Sequence, residues 1–351
     1  MIKTLQICLT ILVSFSSLFG QIGGKHVFNF LSTPASAYST SLGGSAITSK
    51  DGGLALADEN PATLSSTHDR SISFQHQFLV AGIQQGYAAF AKSFGSAGIV
   101  THGSFKYISY GSFDARDVFG NKVGTIKGGE VALTVGAAYQ LYDKLTVGSN
   151  LTFISSSLDS YGSSGFALDL AALYEDSASQ FVAAFVIQDL GTQFTPYDDV
   201  REKLPLNISF GISKRLKYLP FRFGIILHDL NEWNLLYDNP NSQESGFLGG
   251  FQPVDNQPGK FDNFFRHIIF NGELLLGKTE AFRIRMGYNH QRKQELSIEN
   301  HRSLTGFSLG FGLRVRKFHF DYGFSKWHVG GSTHHLGLST NLRYFTGSGI
   351  L

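Results

Sequence analysis

The sequence of 351 residues lacks several features on which soluble and secreted proteins depend. Its one cysteine, Cys8, leaves no disulfide framework, so the chain is not a small disulfide-stapled scaffold. Charged residues make up only 16% of the chain and the net charge is +2, which excludes the strongly basic surface that nucleic acids require. Downstream of residue 20, no apolar run approaches the roughly 20 residues that a transmembrane helix needs. A helical membrane protein is therefore also excluded.

Glycine and aromatic residues are abundant instead. The chain holds 40 glycines, 32 phenylalanines and 14 tyrosines, a composition with too much apolar surface for a disordered chain. Apolar side chains occupy every second position in segments 221–227, 282–288, 307–315 and 318–324. This period of two indicates β-strands, because successive side chains of a strand point to opposite faces.

The alternating segments predict an all-β fold of about fourteen strands, an even number typical of bacterial outer-membrane barrels. Short connections between strands alternate with long ones, predicted at residues 108–130, 154–165, 190–205, 230–266, 291–304 and 327–333. We therefore predict a transmembrane antiparallel β-barrel in the outer membrane, with periplasmic termini and extracellular long loops. The strands should begin near Ser71, Ile83, Ala97, Val131, Leu145, Phe166, Phe181, Leu206, Phe221, His267, Phe282, Thr305, Phe318 and His334.

The two faces of the strands indicate which one meets lipid. One face carries large apolar side chains, whereas the other is mostly glycine, serine and threonine with a few charges. A soluble β-sandwich would present more lysine and glutamate to water, so the polar face is assigned to the lumen of the barrel. This assignment predicts that serine is tolerated at Gly310 and Gly312. The predicted lumen charges are Arg222, Arg283, Arg285, Arg314, Asp169, Glu273 and Asp321.

Two segments precede the predicted barrel of residues 70–351. Residues 1–20 have a positive start, an apolar stretch and then small residues, the pattern of a secretory signal peptide. Residues 21–69 are rich in turn and helix-cap residues and are predicted to form a plug, because a barrel of this size encloses more space than its own side chains fill. A flexible leader outside the barrel is the alternative. The residues expected in the plug are Phe28, Phe30, Leu31, Asn60 and Pro61.

Short motifs in this segment carry a resemblance to a known family. They are Gly23-Gly24, Phe30-Leu31, Pro34–Ala37, Leu42-Gly43-Gly44 and Asn60-Pro61-Ala62, followed further on by the sequence DLGTQF at residues 189–194. The chain resembles the PorQ branch of the PorV/PorQ family, which are outer-membrane components of the type IX secretion system of Bacteroidetes. That family in turn resembles the long-chain fatty-acid transporters, fourteen-stranded barrels with an amino-terminal hatch that share the Asn-Pro-Ala element.

The resemblance implies a non-enzymatic anchor in the attachment complex at the cell surface. The implied protein partners are PorZ, PorU and PorV, with which the anchor would join secreted cargo to anionic lipopolysaccharide. A transporter of fatty acids or other hydrophobic molecules is the alternative implied by the wider group. Such a transporter needs an apolar pocket, whereas the predicted inner face offers charges and small polar groups, and this favours the anchor.

The longest connection, residues 230–266, is predicted to be the surface on which a partner docks. It is rich in aromatic residues, a type that contributes much of the binding energy at protein interfaces. A lid folded over the mouth of the barrel is the alternative. The candidate partner-binding residues are Trp233, Tyr237, Phe247, Phe251, Phe261, Phe264 and Phe265.

Catalytic and metal sites receive little support from the sequence. His319 and Asp321 project from one face of a strand, but no third group is placed beside them. His328, His334 and His335 lie near a predicted loop without a carboxylate or cysteine at ligand spacing. We therefore expect no enzymatic activity, no cofactor and no metal.

Overall fold

The computed structural model describes residues 26–95, 97–235, 259–277, 279–296, 304–328 and 331–345. It confirms the predicted fold class: fourteen antiparallel strands form one closed barrel, in which each strand pairs with its neighbours in sequence and the last pairs with the first. In these residues no helix is long and apolar enough to cross a membrane. The strands are β1 (Ser71–Phe78), β2 (Gln84–Phe94), β3 (Ile99–Arg116), β4 (Lys122–Tyr142), β5 (Leu145–Leu158), β6 (Tyr161–Asp176), β7 (Phe181–Thr195), β8 (Asn207–Arg215), β9 (Phe221–Leu227), β10 (Ile268–Leu276), β11 (Phe282–Asn289), β12 (Phe307–Val315), β13 (Phe318–His328) and β14 (Gly331–Asn341).

Three of the predicted long connections, 108–130, 154–165 and 327–333, are wrong, because they consist mostly of strand. In the last of them β13 continues to His328 and β14 begins at Gly331. Strand β3 continues to Arg116 and β4 begins at Lys122, so most of the predicted connection 108–130 is a paired hairpin. In the same way β5 and β6 are joined by a turn of two residues, 159–160. The residues near the tips of these two hairpins are exposed on both faces, so they carry no apolar alternation. Apolar alternation with a period of two therefore identifies only the part of a strand that has one apolar, lipid-facing side.

The two ends of the barrel differ. At one end, the turn end, the chain enters β1 and leaves β14, and the strands are joined by tight connections such as residues 143–144 and 316–317. At the other end, the loop end, longer connections carry two short helices, α2 (Lys260–Arg266) between β9 and β10, and α3 (His290–Leu296) between β11 and β12. The longest connections thus lie at the loop end, although β5–β6 and β13–β14 are also joined there by only two residues.

The outer wall of the barrel is apolar and the inner wall is polar. Outward-facing Val135 is 69% exposed, whereas inward-facing Asp169 is 6% exposed. Along β12, exposed Phe307, Leu309 and Phe311 alternate with inward-facing residues, of which Ser308 is buried. Soluble proteins bury their apolar side chains and expose their polar ones, so this reversed pattern is that of a wall surrounded by lipid.

Residues 26–70, here called the N-terminal segment, lie inside the barrel. The segment contains helix α1 (Ala37–Ser41) and 3-10 turns at Asn29–Ser32, Leu54–Asp58, Pro61–Thr63 and Ser66–His68. It contacts well-separated parts of the wall: Asn150 of β5 donates a hydrogen bond of 2.9 Å to the Ala57 carbonyl, and Thr40 lies 2.9 Å from His335 of β14. The lumen is therefore filled by the protein's own chain over part of its length.

Candidate functional site

Local sequence explains how the N-terminal segment folds. Ser36 caps α1 by accepting a hydrogen bond from the Ser39 amide. Asn60 caps the 3-10 turn Pro61–Thr63 by accepting one from the Ala62 amide, with Pro61 at the first helical position. The Asn60 side chain also donates to the Ile47 carbonyl at 2.6 Å. The Asn-Pro-Ala element thus stabilises a tight turn in the lumen.

The predicted plug residues lie in this segment. Phe28 and Phe30 are buried in an apolar cluster with Ile154 of β5 and Leu204 of the β7–β8 connection, and Leu31 is half-buried against it. Asn60 and Pro61 are buried at the turn described above. Aromatic packing and the capped turn both attach the segment to the wall.

Inward-facing glycines allow the segment to approach the wall closely. A Cβ atom added at Gly287 would lie 2.1 Å from the Leu42 carbonyl carbon, and one added at Gly310 would lie 2.4 Å from the Ser41 Cβ. Neither distance is possible for packed atoms, so α1 and the residue that follows it rest directly on bare backbone.

The predicted tolerance of serine at Gly310 and Gly312 is therefore wrong. A Cβ atom at Gly312 would lie 2.3 Å from the Arg285 guanidinium, and one at Gly310 would also meet the Tyr322 carbonyl at 2.3 Å. The inner face was treated as open and wet in that prediction. It is instead packed against buried side chains and the N-terminal segment.

Charged residues of the wall hold the segment in place through a buried ion network centred on Glu273 of β10. Its carboxylate accepts hydrogen bonds from Arg285 at 3.1 Å, from Arg222 at 3.2 Å and from the Tyr38 hydroxyl at 3.1 Å. Arg222 also pairs with Asp51 of the segment at 2.5 Å. Two residues of the segment, Tyr38 and Asp51, are thereby tied to charges of the barrel.

Electrostatics within the segment reflect this network. Burial and the nearby Glu273 raise the pKa of Tyr38 to about 12. Burial opposes ionisation of Asp51, but the attraction of Arg222 outweighs it and lowers the pKa of that carboxyl. The Arg285 guanidinium lies 4.1 Å from the centre of the Tyr38 ring, a favourable cation–π contact. Tyr38 remains protonated and Asp51 charged at neutral pH, as the network requires.

The remaining predicted lumen charges fall into three groups. Arg285 pairs with Asp321 at 2.7 Å, and Arg283 lies 3.8 Å from Glu273, so these residues belong to the ion network. Asp169 lies elsewhere, where it accepts hydrogen bonds from Asn150 and from the Asp189 amide. Arg314 is exposed near the end of β12 at the turn end and is not a lumen charge. The alternation of β12 predicts which face of the strand Arg314 lies on. It does not predict how far along the barrel axis the residue lies.

Beyond the network, toward the loop end, the lumen opens into a chamber with a volume of about 810 Å³. The N-terminal segment contributes Asp58 and Glu59 to its lining, and α3 contributes Arg292. Barrel strands contribute Lys106 and Asp189. Sequence analysis named none of these five as a site residue, although Asp189 begins the motif DLGTQF at residues 189–194. The alternation of β3 could have predicted that Lys106 faces the lumen. The positions of Glu59 and Arg292 could not be predicted in this way, because both lie outside the strands.

Two of the charged groups in the chamber are already satisfied. The Lys106 ammonium donates to the carbonyls of Leu31 and Thr33 at 2.9 and 2.8 Å and pairs with Asp58 at 3.2 Å. Glu59 accepts hydrogen bonds from the Ala46 amide at 2.8 Å and from two serine hydroxyls. Burial raises the pKa of Glu59, and these hydrogen bonds only partly oppose the increase.

An exposed aromatic patch, formed by Trp233, Phe261, Phe264 and Phe265, lies at the loop end. Phe261 is 82% exposed, and Trp233 is 60% exposed although its ring stacks on His267 with 5.0 Å between centroids. The other predicted docking residues, Tyr237, Phe247 and Phe251, lie outside the described residues.

One side of the aromatic patch joins the outer wall. Phe265 contacts His290, which contacts Tyr288, and Tyr288 packs on Phe307 with centroids 4.8 Å apart. Tyr288 and Phe307 belong to the outward faces of β11 and β12. Phe265 therefore continues the lipid-facing surface, while Phe261 points into open space.

The histidines considered for catalysis or metal binding do not form a site. His319 lies 3.6 Å from Asp321, whose other oxygen is paired with Arg285. His335 contacts Thr40 in the lumen, whereas His334 bonds to the outward-facing Tyr322. Among the residues that the structure describes, no three histidine, cysteine or acidic side chains converge as metal ligands.

The closed fourteen-stranded barrel with an apolar outer wall and an occupied lumen defines an outer-membrane β-barrel, and solved structures share this fold. The toluene transporter TodX of Pseudomonas putida is similar with a TM-score of 0.54 and 11% identity over 88% of this chain and 96% of that one. A FadL homologue of Pseudomonas aeruginosa has a TM-score of 0.54 and 8% identity, covering 91% and 100%. The CymD monoaromatic hydrocarbon channel has a TM-score of 0.50 and 13% identity, covering 89% and 97%. Two of these neighbours are thus described as a transporter and as a channel. The sequence matches no protein-family profile and no curated protein.

Proposed function

We propose that the protein is a non-enzymatic outer-membrane anchor of the type IX secretion attachment complex. In this role it holds a PorZ-like partner at the cell surface, alongside PorU and PorV, while cargo is joined to anionic lipopolysaccharide. The observation that carries the proposal is the buried ion network that fixes the N-terminal segment in the lumen. A barrel with its lumen filled in this way suits attachment better than passage.

The orientation follows from the two ends of the barrel. We place the turn end, with both termini, in the periplasm and the loop end outside the cell, because outer-membrane barrels have short periplasmic turns and longer external loops. The aromatic patch then faces the extracellular space.

Energetics of the ion network support a fixed segment. Moving the segment would separate Tyr38 from Glu273 and Asp51 from Arg222. Leaving the buried Glu273 carboxylate without the Tyr38 hydrogen bond costs about 1–3 kcal/mol, whereas the Asp51–Arg222 pair, exposed at Asp51, adds about 1 kcal/mol or less. Several such contacts, together with the glycine contacts of α1, oppose any movement that would open the lumen.

The aromatic patch supports partner binding. Exposed Phe and Trp side chains are unfavourable in water, and large aromatics are enriched where proteins associate. Phe261 is the most exposed ring of the patch. We assign Phe261 to contact with the partner and Phe265 to the lipid boundary.

Transport of hydrophobic molecules is the second candidate, favoured by the similarity in fold to the toluene transporter and the hydrocarbon channel. An apolar substrate would have to cross the chamber at the loop end. Acidic side chains outnumber lysine and arginine there by seven to three, which is a poor environment for such a substrate.

A matched pair of variants tests the anchor. Phe261→Ser removes the exposed ring of the aromatic patch, and Phe119→Ser removes an equally exposed ring at the tip of the β3–β4 hairpin, 86% exposed. The tagged protein is extracted gently with detergent from cells that carry the secretion system, and PorZ-like, PorU-like and PorV-like partners are quantified by mass spectrometry. We expect at least tenfold loss of the PorZ-like partner with Phe261→Ser only.

The same preparation distinguishes the two candidates. Recovery of the wild-type barrel without any of these proteins, but with a hydrophobic small molecule retained in its lumen, would replace the anchor with the transporter. Equal partner recovery with both variants would leave the complex intact and remove Phe261 from its interface.

A further inference from the structure

Positive charge accumulates at the turn end of the barrel, beside the seam where β14 pairs with β1. Three cations converge there on the single carboxylate of Asp69: Arg343 at 2.5 Å, Lys92 at 3.7 Å and Arg70 at 3.9 Å. Asp69 is buried, whereas the three cationic side chains are between 41% and 49% exposed. One carboxylate cannot neutralise three cations, so this group, here called the seam cluster, is left with a net positive charge.

Backbone hydrogen bonds hold the seam cluster in place. The Arg70 amide donates to the Ala91 carbonyl at 2.8 Å, and the Arg70 carbonyl accepts a hydrogen bond of 2.9 Å from the Leu342 amide. The Asp69 carboxylate accepts a hydrogen bond of 2.7 Å from the Ser93 amide. Because the backbone is already ordered, an anion that binds these cations does not have to order it.

Other cations at the turn end have an acidic partner of their own. The Lys144 ammonium lies 2.8 Å from Asp176, and the Arg215 guanidinium lies 2.5 Å from Glu280. Each of these pairs is neutral as a unit. The seam cluster differs because its cations share one acidic group, and a positive site of this kind favours an anionic ligand.

The apolar wall places the seam cluster at the boundary of the membrane. Lys92 lies near the end of β2, on the outward side of the strand, between Phe90 and Phe94. Both phenylalanine rings are exposed and belong to the lipid-facing wall. A lysine near the end of a membrane-spanning element extends its ammonium group toward the lipid headgroups. The seam cluster is therefore at the level of the headgroups.

Residues that follow β14 extend the seam cluster along the rim. Arg343 is followed by Tyr344 and Phe345, whose rings are exposed. Lys317 of the β12–β13 turn donates to the Tyr344 carbonyl at 2.6 Å, and its ammonium lies 4.8 Å from the centre of the Phe345 ring. Phe345 in turn contacts the outward-facing Phe318, with 6.0 Å between ring centroids. A fourth cation and a group of aromatic rings, which are typical of the membrane interface, thus lie beside the cluster.

We propose that the seam cluster binds the phosphate of an anionic phospholipid headgroup, with the acyl chains of the lipid lying along Phe90 and Phe94. The phosphate supplies the negative charge that Asp69 alone does not, and arginine and lysine are the residues that bind phosphate. A soluble anion would make the charged contacts without the apolar ones, which favours a lipid. The anchor role is not needed for this inference. Only the orientation of the turn end toward the periplasm enters, because the leaflet on that side consists of phospholipid.

Phosphatidylglycerol is the probe, and phosphatidylcholine with the same acyl chains is its zwitterionic counterpart. The full-length protein in a nonionic detergent is mixed with equal amounts of both lipids, and the retained lipid is identified by native mass spectrometry. We expect saturable retention of phosphatidylglycerol in preference to phosphatidylcholine. Equal retention of the two lipids, or displacement of phosphatidylglycerol by an equal concentration of inorganic phosphate, overturns the proposal. A preference for lipopolysaccharide over phosphatidylglycerol would place the cluster in the other leaflet and would overturn the assignment to a phospholipid.

Two double variants locate the site. Arg70→Gln combined with Lys92→Gln removes the two more distant cations and keeps the closest ion pair of Asp69. The control, Lys214→Gln combined with Lys217→Gln, removes two exposed lysines at the same end of the barrel, beside the β8–β9 turn. We expect at least tenfold weaker phosphatidylglycerol binding with the first pair, since each cation near an anionic lipid surface contributes about fivefold, and unchanged binding with the second. Equal losses with both pairs would show attraction to the whole turn end and would overturn the site.

Lys92→Gln alone keeps the test decisive if the first double variant fails to fold. The Lys92 ammonium is partly exposed and 3.7 Å from the nearest Asp69 oxygen, so its loss should leave the melting temperature of the lipid-free barrel unchanged. We expect about fivefold weaker binding of phosphatidylglycerol. Wild-type affinity in this variant would show that the lipid does not bind at the seam cluster.

Discussion

At the scale of single residues, Asp69 closes the seam of the barrel. Its carboxylate accepts a hydrogen bond from the Ser93 amide of β2 at 2.7 Å and pairs with Arg343, which follows β14, at 2.5 Å. Its carbonyl accepts a hydrogen bond from Asn341. The backbone hydrogen bond from Ser93 and, after it, Arg343 lower the pKa of Asp69, and burial opposes this only in part. One side chain thus joins the strands on both sides of β1.

These contacts of Asp69 predict that the barrel loses stability in acid. Because the pKa of Asp69 is lower in the folded protein than its ordinary 3.8, its contribution is fully present above that pH and is lost as the pH falls through the folded pKa. Asp69→Asn should lower the free energy of unfolding by about 1–3 kcal/mol at pH 7 and flatten its dependence on pH below 4. Urea unfolding in detergent micelles measures both effects.

The control is Asp143→Asn in the β4–β5 turn, where the carboxylate is exposed. It should leave unfolding within about 0.5 kcal/mol of wild type. If the free energy of unfolding of wild type and of Asp69→Asn depends on pH in the same way, Asp69 does not join β2 to the end of β14 as described.

The predicted lumen charges show what the alternation of a strand predicts for a single residue, namely whether its side chain faces inward or outward. Parity along β10, β11 and β13 was sufficient to predict that Glu273, Arg285 and Asp321 face inward, where they form the ion network. It could not place Arg314 at the exposed end of its strand. It also could not predict the position of Glu59, which lies in a turn-rich segment that has no alternating pattern.

At the scale of elements, the packing of α1 on the barrel explains part of the high glycine content. Alternation predicted an inner face of small residues, but not that the backbone of the N-terminal segment would touch it. That contact depends on the path of α1, which a short turn-rich sequence does not specify. The β3–β4 hairpin shows the opposite case, since backbone pairing continues after the alternation has ended.

Gly287→Ala tests the contact between α1 and β11. The added methyl group would overlap the backbone of Leu42, so the N-terminal segment must shift, at a cost of about 1–3 kcal/mol for overpacking. We expect faster cleavage of the segment by a protease added to the detergent-solubilised barrel, while the barrel stays intact. Protection is followed by gel electrophoresis and mass spectrometry.

Gly103→Ala on β3 is the matched control. Its added Cβ atom would have its nearest neighbour 4.0 Å away, and it should be cleaved at the wild-type rate. If Gly287→Ala is protected as well as Gly103→Ala, the segment does not rest on β11 as described.

At the scale of the whole molecule, the barrel is stabilised by two different environments. The outer wall gains its stability from lipid, as the exposed phenylalanine and leucine side chains of β12 illustrate. The lumen is stabilised by hydrogen bonds and ion pairs, which are strongest where the chain buries them, as at Glu273 and Arg285. Alternation predicted the closed wall from local pattern alone, because closure follows once every strand has one lipid-facing side. The chamber could not be predicted in this way, since it forms where strands, the segment and α3 meet.

Phe311→Arg tests the environment of the outer wall directly. Phe311 faces outward on β12, 42% exposed, between Ile284 and Tyr322 on the neighbouring strands. An arginine near the middle of a bilayer costs about 2–4 kcal/mol, so the variant should insert poorly into lipid vesicles, and its folded fraction should fall by tenfold or more. Phe119→Arg provides the comparison, because that residue lies at the β3–β4 hairpin tip, beyond the apolar band, and should fold at the wild-type yield. Folding is followed by the heat-dependent gel mobility of barrels. Equal yields for both variants would mean that the surface around Phe311 faces water, and lipid would then have no part in holding the wall together.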